Sequence, residues 1–210
     1  MIIAYGLFLT LTVYLLFLNF NSLKLQNLVA ADVKNGKLTH PASLFLNGFP
    51  IIPDLNVFSV PNDADKARYL INEKRNDEAI ALLKKNKSNH FDDMSSLFIS
   101  LAYHNQNNID SSLTYIRKAY NLRPNKFKNV SNLCVLLHQK GRVKEAENIL
   151  NNYLDKNKNN ADAWLFTFVF FNRTGDIQKA VSTIDSAAHY LPSNDRILKQ
   201  KSVIKSGSNH

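Results

Sequence analysis

Two six-residue stretches, Gly141-Arg-Val-Lys-Glu-Ala146 and Gly175-Asp-Ile-Gln-Lys-Ala180, have the same pattern, a tight turn that opens a helix. The interval between the two glycines equals the interval between the two alanines. The register continues upstream, by the same interval from Ala146 to Ser112 and by one residue less from Ser112 to Ala79. A fixed period of this kind, within the range of about 20 to 50 residues, is typical of stacked supersecondary units. The sequence therefore predicts an array of repeated helical hairpins.

The repeats also share a pattern of apolar and small residues. Apolar positions at i, i+3, i+4 and i+7 form one face of a helix, and a small residue in the second helix lets the paired helices approach closely. The clearest copy reads Trp164-x2-Thr167-Phe168-x2-Phe171, Ala180-x3-Ile184-x2-Ala187 and Pro192. The others read Ser96-x2-Ile99-Ser100-x2-Tyr103, Ser112-x3-Ile116-x2-Ala119 and Pro124; Val130-x2-Leu133-Cys134-x2-Leu137, Ala146-x3-Leu150-x2-Tyr153 and Lys158; and a degenerate Ala67-x2-Leu70 with Ala79-x3-Leu83.

This pattern resembles the tetratricopeptide repeat. The resemblance implies an all-α fold, a right-handed superhelical α-solenoid of about four helical hairpins. The apolar residues of segment 195–205 predict a capping helix after them, and the uncharged run at the start of the sequence predicts one transmembrane helix before them. The expected segments are a transmembrane helix at 1–20, a connector at 21–62, repeats at 63–92, 93–126, 127–160 and 161–192, and a capping helix and tail at 193–210.

Turn residues and departures from the repeat pattern give finer expectations. Gly141, Gly175, Asn76 and Asn107-Asn108 suit the tight turns between paired helices. Phe168 and Cys134 stand where the family often has a small residue, which predicts packing that is wider there or covered differently. Lys158 stands where proline would fall, which predicts a less sharply defined end of the third repeat. We expect Cys134 to be structurally buried, since it lies on the apolar face of a helix.

Residues 2–20 form 19 consecutive residues without a charge. As a helix they would be about 28 Å long, close to the roughly 30 Å core of a bilayer. A cleaved signal peptide would need a basic residue before the apolar run and an early cleavage site. No Lys or Arg precedes the run, and Val29-Ala30-Ala31 lies late. The pattern favours a membrane span over a signal peptide or a buried core helix.

The side of the membrane on which the repeats lie is open to two interpretations. Lys24, Lys34 and Lys37 follow the span and no basic residue precedes it, which favours cytoplasmic repeats by the positive-inside rule. The other interpretation, periplasmic repeats, comes from a resemblance described below.

Between residues 21 and 61, turn dipeptides alternate with apolar residues. This composition predicts an ordered strap on the first hairpin, with a segment against the membrane or another subunit as the alternative.

Composition narrows the chemistry. The net charge of +9 is distributed along 210 residues, and a single cysteine excludes an intrachain disulfide. The sequence contains no HExxH motif, glycine-rich phosphate loop or GxSxG motif. We therefore expect no catalytic residues, no cofactor, no metal site and no enzymatic activity. A basic band between Asp110 and Glu145 is interpreted as solvated surface, with anionic lipid or phosphorylated glycan carriers as the alternative partners. Nucleic acid is not expected, since no stacking aromatics accompany the band.

The family resemblance implies a partner-binding groove on the concave face of the first helices. A row of polar side chains beside apolar ones suits an extended peptide or a partner helix, because side-chain amides can hydrogen-bond to the N–H and C=O groups of a peptide backbone. Ordinary helix polarity facing solvent is the alternative. Carried over by the period, the groove residues are Arg68, Asn72, Leu101, His104, Asn105, Val135, His138, Gln139, Val169 and Arg173.

A second, less specific resemblance covers the whole layout. The apolar span, the strap Phe49-Pro50-Ile51-Ile52-Pro53-Asp54-Leu55 and Lys66-Ala67-Arg68-Tyr69-Leu70 before the repeats are similar to the C-terminal end of bacterial O-antigen polymerase and ligase-type membrane proteins. This resemblance implies a single-pass protein of the bacterial inner membrane with periplasmic repeats. The leading functional hypothesis is a membrane-anchored scaffold that binds a protein or peptide. The alternative is an accessory or C-terminal portion of a membrane enzyme that assembles a bacterial surface glycan (O-antigen or exopolysaccharide), with a glycan-assembly membrane complex as the partner.

Overall fold

The computed structural model describes residues 2–50, 60–85 and 92–207. These residues form eleven α-helices and no β-strand, which confirms the all-α prediction. By their contacts the helices fall into two compact units, Met1–Leu122 and Arg123–His210. The helices are α1 (Ile2–Lys34), α2 (Ala42–Gly48), α3 (Asn62–Asn72), α4 (Asn76–Lys85), α5 (Asp93–Asn105), α6 (Ile109–Leu122), α7 (Phe127–Gln139), α8 (Val143–Lys156), α9 (Ala161–Arg173), α10 (Ile177–Tyr190) and α11 (Asp195–Gly207).

The helix boundaries repeat with the period of the sequence. Helices α5, α7, α9 and α11 each have 13 residues, and each begins one period after the last. Helices α6, α8 and α10 each have 14 residues and begin at the same interval. Helix α11 therefore begins where the first helix of a further repeat would begin, and it packs against α10 and α9.

The turn between paired helices has the same backbone geometry in every repeat. One residue takes a positive φ: Lys74 (63°), Asn107 (58°), Gly141 (72°) and Gly175 (82°). The next N–H donates to the carbonyl five residues back, over 2.8 to 3.0 Å, which satisfies a carbonyl at the helix end. The prediction for Asn76 is wrong, because Asn76 begins α4 and Lys74 takes the left-handed position. The step from Ser112 back to Ala79, applied to Asn107, would have located Lys74.

The small residues of the second helices lie where the paired helices approach most closely. Ala79, Ser112, Ala146 and Ala180 are at most 1% exposed. In the second repeat the Ser100 hydroxyl donates to the Ser112 carbonyl and the Ser112 hydroxyl donates to the Ser100 carbonyl, both over 2.8 Å. Side chains of this size allow the backbones to meet, as the repeat pattern predicts.

Cys134 occupies the position of Ser100 in the third repeat. The thiol is fully buried and donates to the Ala146 carbonyl over 3.6 Å. Burial, with a smaller contribution from the charge of Glu145, raises the pKa of the thiol to about 12, so the group stays protonated. The prediction of structural burial is confirmed, and the prediction of wider or differently covered packing stays a prediction. Phe168, the equivalent in the fourth repeat, is half-buried.

The third repeat ends as sharply as its neighbours, so the prediction from Lys158 is wrong. Helix α8 has the same length as α6 and α10. The indole N–H of Trp164 donates to the Lys158 carbonyl over 2.8 Å, and the Asn160 amide donates to the Tyr153 hydroxyl over 3.0 Å. These contacts fix the connection between α8 and α9 without proline.

Helix α1 runs without interruption beyond the predicted limit at residue 20, to Lys34. Its first part is exposed; Tyr5, Phe8 and Phe20 are 67% to 77% exposed. Its second part packs against the repeat unit through buried side chains. At Gly48 of α2, an added Cβ would lie 2.9 Å from the Leu25 side chain, so α2 approaches α1 closely there. The buried residues of the second part are Ser22, Leu25, Val29 and Asp32.

The carboxylate of Asp32 links α1 to α3 and to the residues that follow α1, Thr39 and His40. It is 3% exposed and accepts hydrogen bonds from the Tyr69 hydroxyl over 2.9 Å and the Thr39 hydroxyl over 2.7 Å. The Thr39 N–H also donates to it, and the His40 Nδ1 lies 2.9 Å away. Tyr69 in turn stacks on Phe45 of α2, with ring centroids 4.0 Å apart. Residues 39–50 thus pack on the first hairpin; residues 51–59 of the predicted strap lie outside the described residues.

Helix capping supplies the first testable prediction. The caps of α5, α7, α9 and α11 also repeat with the period, as Asp92, Lys126, Asn160 and Asn194. The side chains of Asp92, Asn160 and Asn194 accept hydrogen bonds from first-turn N–H groups, whereas Lys126 makes no side-chain cap bond. We expect Lys126→Asn to stabilise the second unit by about 0.5–1 kcal/mol, the usual worth of a cap. Thermal unfolding checks this; Lys128→Asn, inside the first turn, is the control and should not stabilise.

Candidate functional site

A pocket on the unit of residues 123–210 collects predicted groove residues. Its volume is about 140 Å³, and helices α7 and α9 line it. We call it the α7–α9 pocket. All five groove residues predicted for this unit line it, and the structure adds two aromatic residues. The lining residues are Val135, His138, Gln139, Phe166, Val169, Phe170 and Arg173.

Helical periodicity explains why these residues meet. Val135, His138 and Gln139 occupy positions i, i+3 and i+4 of α7, so they share a face. On α9, Phe166, Val169, Phe170 and Arg173 occupy i, i+3, i+4 and i+7 and also share a face. The opposite face of α9 carries Trp164 and Phe171, which pack toward the second helices. Each first helix therefore separates a packing face from a face that remains open.

The α7–α9 pocket combines exposed apolar surface with polar groups at one edge. Val135 and Val169 are 38% and 40% exposed, which is high for valine. The His138 ring meets the Phe170 ring edge to face at 5.9 Å, and this contact forms a wall. Gln139 offers an amide donor and an acceptor, and Arg173 offers a guanidinium. Such a surface can take an apolar side chain and hydrogen-bond the backbone that carries it.

Phe166 and Phe170 were missed at the sequence level. Phe170 is 6% exposed, and Phe166 meets Phe127 edge to face at 5.7 Å. The repeat pattern assigns neither residue to packing or to groove. The i, i+3, i+4, i+7 relation to Val169 and Arg173 is the signal that could have found both.

The predicted groove residues of the first unit are arranged differently. Arg68 lies 3.4 Å from Asp65 and its guanidinium stands 5.0 Å from the Phe98 ring centroid. The Asn105 amide donates to the Asn76 side chain over 3.3 Å, so it links α5 to the start of α4. Asn72 is exposed, and Leu101 and His104 are half-buried. The structure thus gives Arg68 and Asn105 intramolecular partners.

The described residues also bear on metal sites and on membrane-spanning helices. Within residues 2–50, 60–85 and 92–207, no group of three or more His, Cys, Asp or Glu side chains could hold a metal ion. Over the same residues, one helix, Ala4–Lys34, is long and apolar enough to cross a membrane. Its most apolar window is 6% buried, and a signal sequence would have the same properties.

Comparison with known proteins supports the repeat assignment. Residues 95–126, which include most of α5 and all of α6, match the model of the tetratricopeptide repeat. This segment is therefore similar to a tetratricopeptide repeat. The turn geometry and helix lengths of α5 and α6 recur in the helix pairs α7–α8 and α9–α10, which have the same spacing as the matched tetratricopeptide repeat.

Solved structures show the same tetratricopeptide fold. YrrB, whose structure is titled "a TPR protein with an unusual peptide-binding site", is 16% identical with a TM-score of 0.55, and the match covers 90% of each chain. MamA from Desulfovibrio magneticus RS-1 is 15% identical with a TM-score of 0.50, over 80% of this chain and 85% of that chain. No curated protein sequence is significantly similar to this chain. These similarities concern the tetratricopeptide fold, and the glycan-assembly resemblance stays a prediction.

Proposed function

We propose that the protein is a membrane-tethered interaction scaffold whose α7–α9 pocket binds an extended peptide segment of a partner protein. The observation that supports this most directly is the exposed valine pair, Val135 and Val169, beside Gln139 and Arg173. An apolar side chain of the peptide would fill the space between the valines and Phe170. The backbone that carries this side chain would run along the polar edge that Gln139 and Arg173 form.

The charge at the pocket edge refines the expected ligand. Arg173 supplies a positively charged guanidinium at this edge. A peptide with an apolar anchor and a nearby carboxylate or C-terminal carbonyl would complement Arg173. YrrB, which has the same fold, is described as binding peptide. That description fits a role in binding for the open face of the first helices here.

The tether is the exposed, apolar part of α1. Leu7, Phe8 and Leu11 are 55% to 69% exposed, and Tyr5 is 77% exposed. Lipid would cover these apolar side chains. We place the repeats on the periplasmic side of a bacterial inner membrane, following the layout of the glycan-assembly proteins. A role as an accessory part of such an assembly is the second candidate function, and the same layout motivates it.

The proposal is tested by panning a library of extended peptides against the full chain in detergent micelles. Peptides enriched on the wild type should bind Val169→Asp about 5- to 30-fold more weakly, since an unpaired carboxylate in an apolar contact costs about 1–2 kcal/mol. The matched control is Ile177→Asp, because Ile177 is 56% exposed on α10 and does not line the pocket. It should bind as the wild type does.

Two outcomes would contradict the proposal. Equal binding to wild type and Val169→Asp would move the peptide site away from the α7–α9 pocket. If no peptide is enriched, the protein does not bind extended peptides.

Deleting the gene tests the second candidate function. A changed surface polysaccharide would support a role in glycan assembly, and an unchanged polysaccharide would argue against it.

A further inference from the structure

A second cavity lies on the other side of α9. It has a volume of about 330 Å³ and opens between α8, α9 and α10, all within the unit of residues 123–210. We call it the α8–α10 cavity. Trp164 and Phe171 contribute aromatic surface to it, and both lie on the face of α9 opposite Val169. The cavity and the α7–α9 pocket are therefore separate surfaces.

The lining of the α8–α10 cavity combines carboxylates with aromatic rings. Glu147 and Asp155 both line it. They are eight residues apart on α8, which places them about 12 Å apart along the helix. Carboxylates attract cations, and the faces of aromatic rings attract them too. The combination suits a guanidinium, which can pair with a carboxylate and stack on a ring at the same time.

The protein already holds one cation in this cavity. The Lys179 Nζ lies 2.7 Å from a carboxylate oxygen of Glu147 and 5.5 Å from the centre of the Phe171 ring. The pKa of Lys179 is raised, first by the hydrogen bond to Glu147 and then by the one to Asp176. At one end of the cavity, the Lys179 ammonium group thus pairs with the Glu147 carboxylate and lies over the Phe171 ring.

Asp155 offers the same chemistry without an internal partner. It is exposed and lines the cavity two helical turns from Glu147. Among the residues that the structure describes, no hydrogen bond or ion pair engages its carboxylate, in contrast to Glu147 and Asp176. In this cavity the Glu147 carboxylate is therefore paired with Lys179 of the same chain, and the Asp155 carboxylate is open to a ligand.

We propose that the α8–α10 cavity is a second interaction site, which takes an arginine side chain from the surface of a partner protein. Asp155 pairs with the guanidinium, and the small exposed part of Trp164 lies against its stem. Arginine fits better than lysine because its planar fork pairs with a carboxylate through two hydrogen bonds and is weakly hydrated. This site is independent of the peptide-binding function proposed for the α7–α9 pocket.

Trp164 makes the site directly measurable, since it is the only tryptophan in the chain. The full chain in detergent micelles is titrated with the peptide Ac-Gly-Arg-Gly-NH2 while Trp164 fluorescence is followed. We expect a saturable change. The peptide with citrulline in place of arginine, which has the same shape without the charge, should give none.

Two variants give effects of opposite sign. Asp155→Asn should weaken arginine binding roughly fivefold, the range of a partly exposed ion pair. Lys179→Met should strengthen it about threefold, because Glu147 becomes available as a further carboxylate. Asp195→Asn removes an exposed carboxylate on α11, outside the cavity, and is the charge-matched control; it should leave the titration unchanged.

The proposal is overturned if citrulline and arginine peptides give the same response, or if Asp155→Asn binds arginine as tightly as the wild type. Val169→Asp, which tests the α7–α9 pocket, should leave this titration unchanged. Failure of one site is therefore distinguishable from failure of the other.

Discussion

Replacing Asp32 with asparagine should destabilise the unit of residues 2–122 by about 2–4 kcal/mol, the largest single effect that we expect in this chain. The buried carboxylate accepts hydrogen bonds from Tyr69 and from the hydroxyl and N–H of Thr39. Hydrogen bonds to a charged group contribute about 1.5–3 kcal/mol each. Asparagine has one oxygen instead of two and adds a donor among donors, so at least one buried partner is left unpaired.

Hydrogen exchange of the full chain in micelles measures this effect. Amides of α2 and α3 should exchange faster in Asp32→Asn, whereas amides of α9 in the other unit serve as an internal reference. The matched control is Asp77→Asn on α4, an exposed carboxylate that accepts a hydrogen bond from Gln106. Unchanged exchange in α2 and α3 of Asp32→Asn would show that the carboxylate does not hold the unit together.

The same pair of proteins has a defined pH dependence. Burial on its own would raise the pKa of Asp32, but the hydrogen bonds from His40, Thr39 and Tyr69 outweigh it and hold the pKa well below its usual range. A lowered folded-state pKa stabilises the protein above the unfolded value of about 3.9. The difference between wild type and Asp32→Asn should therefore be constant near neutral pH and shrink as the pH falls below about 4.

The second large effect should come from Ala180→Leu. Ala180 is 1% exposed, in the position where Ser112 and Ala146 meet the first helices of their own repeats at hydrogen-bonding distance. Three extra carbon atoms must force α9 and α10 apart or distort side chains. Overpacking of this kind costs about 1–3 kcal/mol.

Thermal unfolding followed by Trp164 fluorescence checks this, because Trp164 lies on α9. Ala188→Leu is the matched control, since Ala188 is half-buried on the same helix and makes the same change in side-chain volume. It should change the melting temperature little. A melting temperature of Ala180→Leu equal to that of the wild type would show that the repeat register is wrong.

The sequence predicts the repeats well because their determinants are local and recur. The apolar faces, the small residues and the left-handed turn positions each recur with the same period, so four copies correct one another. Lys74 is the instructive exception: its side chain has no preference for positive φ, and only the register reveals it.

The N-terminal part of the fold could not be predicted in the same way. In the sequence Asp32 is a single charged residue of the connector, yet it contacts Tyr69, 37 residues later. No period links the two, and both signals are single residues. The α7–α9 pocket is an intermediate case. Val135, His138, Gln139, Val169 and Arg173 follow from the period, whereas Phe166 and Phe170 follow only when the helical face shared with Val169 and Arg173 is also considered.

The continuity of α1 has a mechanical consequence. With about 1.5 Å of rise per residue, Asp32 lies roughly 18 Å along the helix from Phe20, and no break separates the exposed part from the buried part. A helix without a hinge acts as a lever, so a tilt or rotation of the first twenty residues in lipid would turn α2 and α3 with it. If the first part of α1 spans a membrane, as proposed, the span would set the orientation in which the first hairpin faces its surroundings. Deleting one residue between Phe20 and Asp32 would then rotate that hairpin by about 100° around the helix axis.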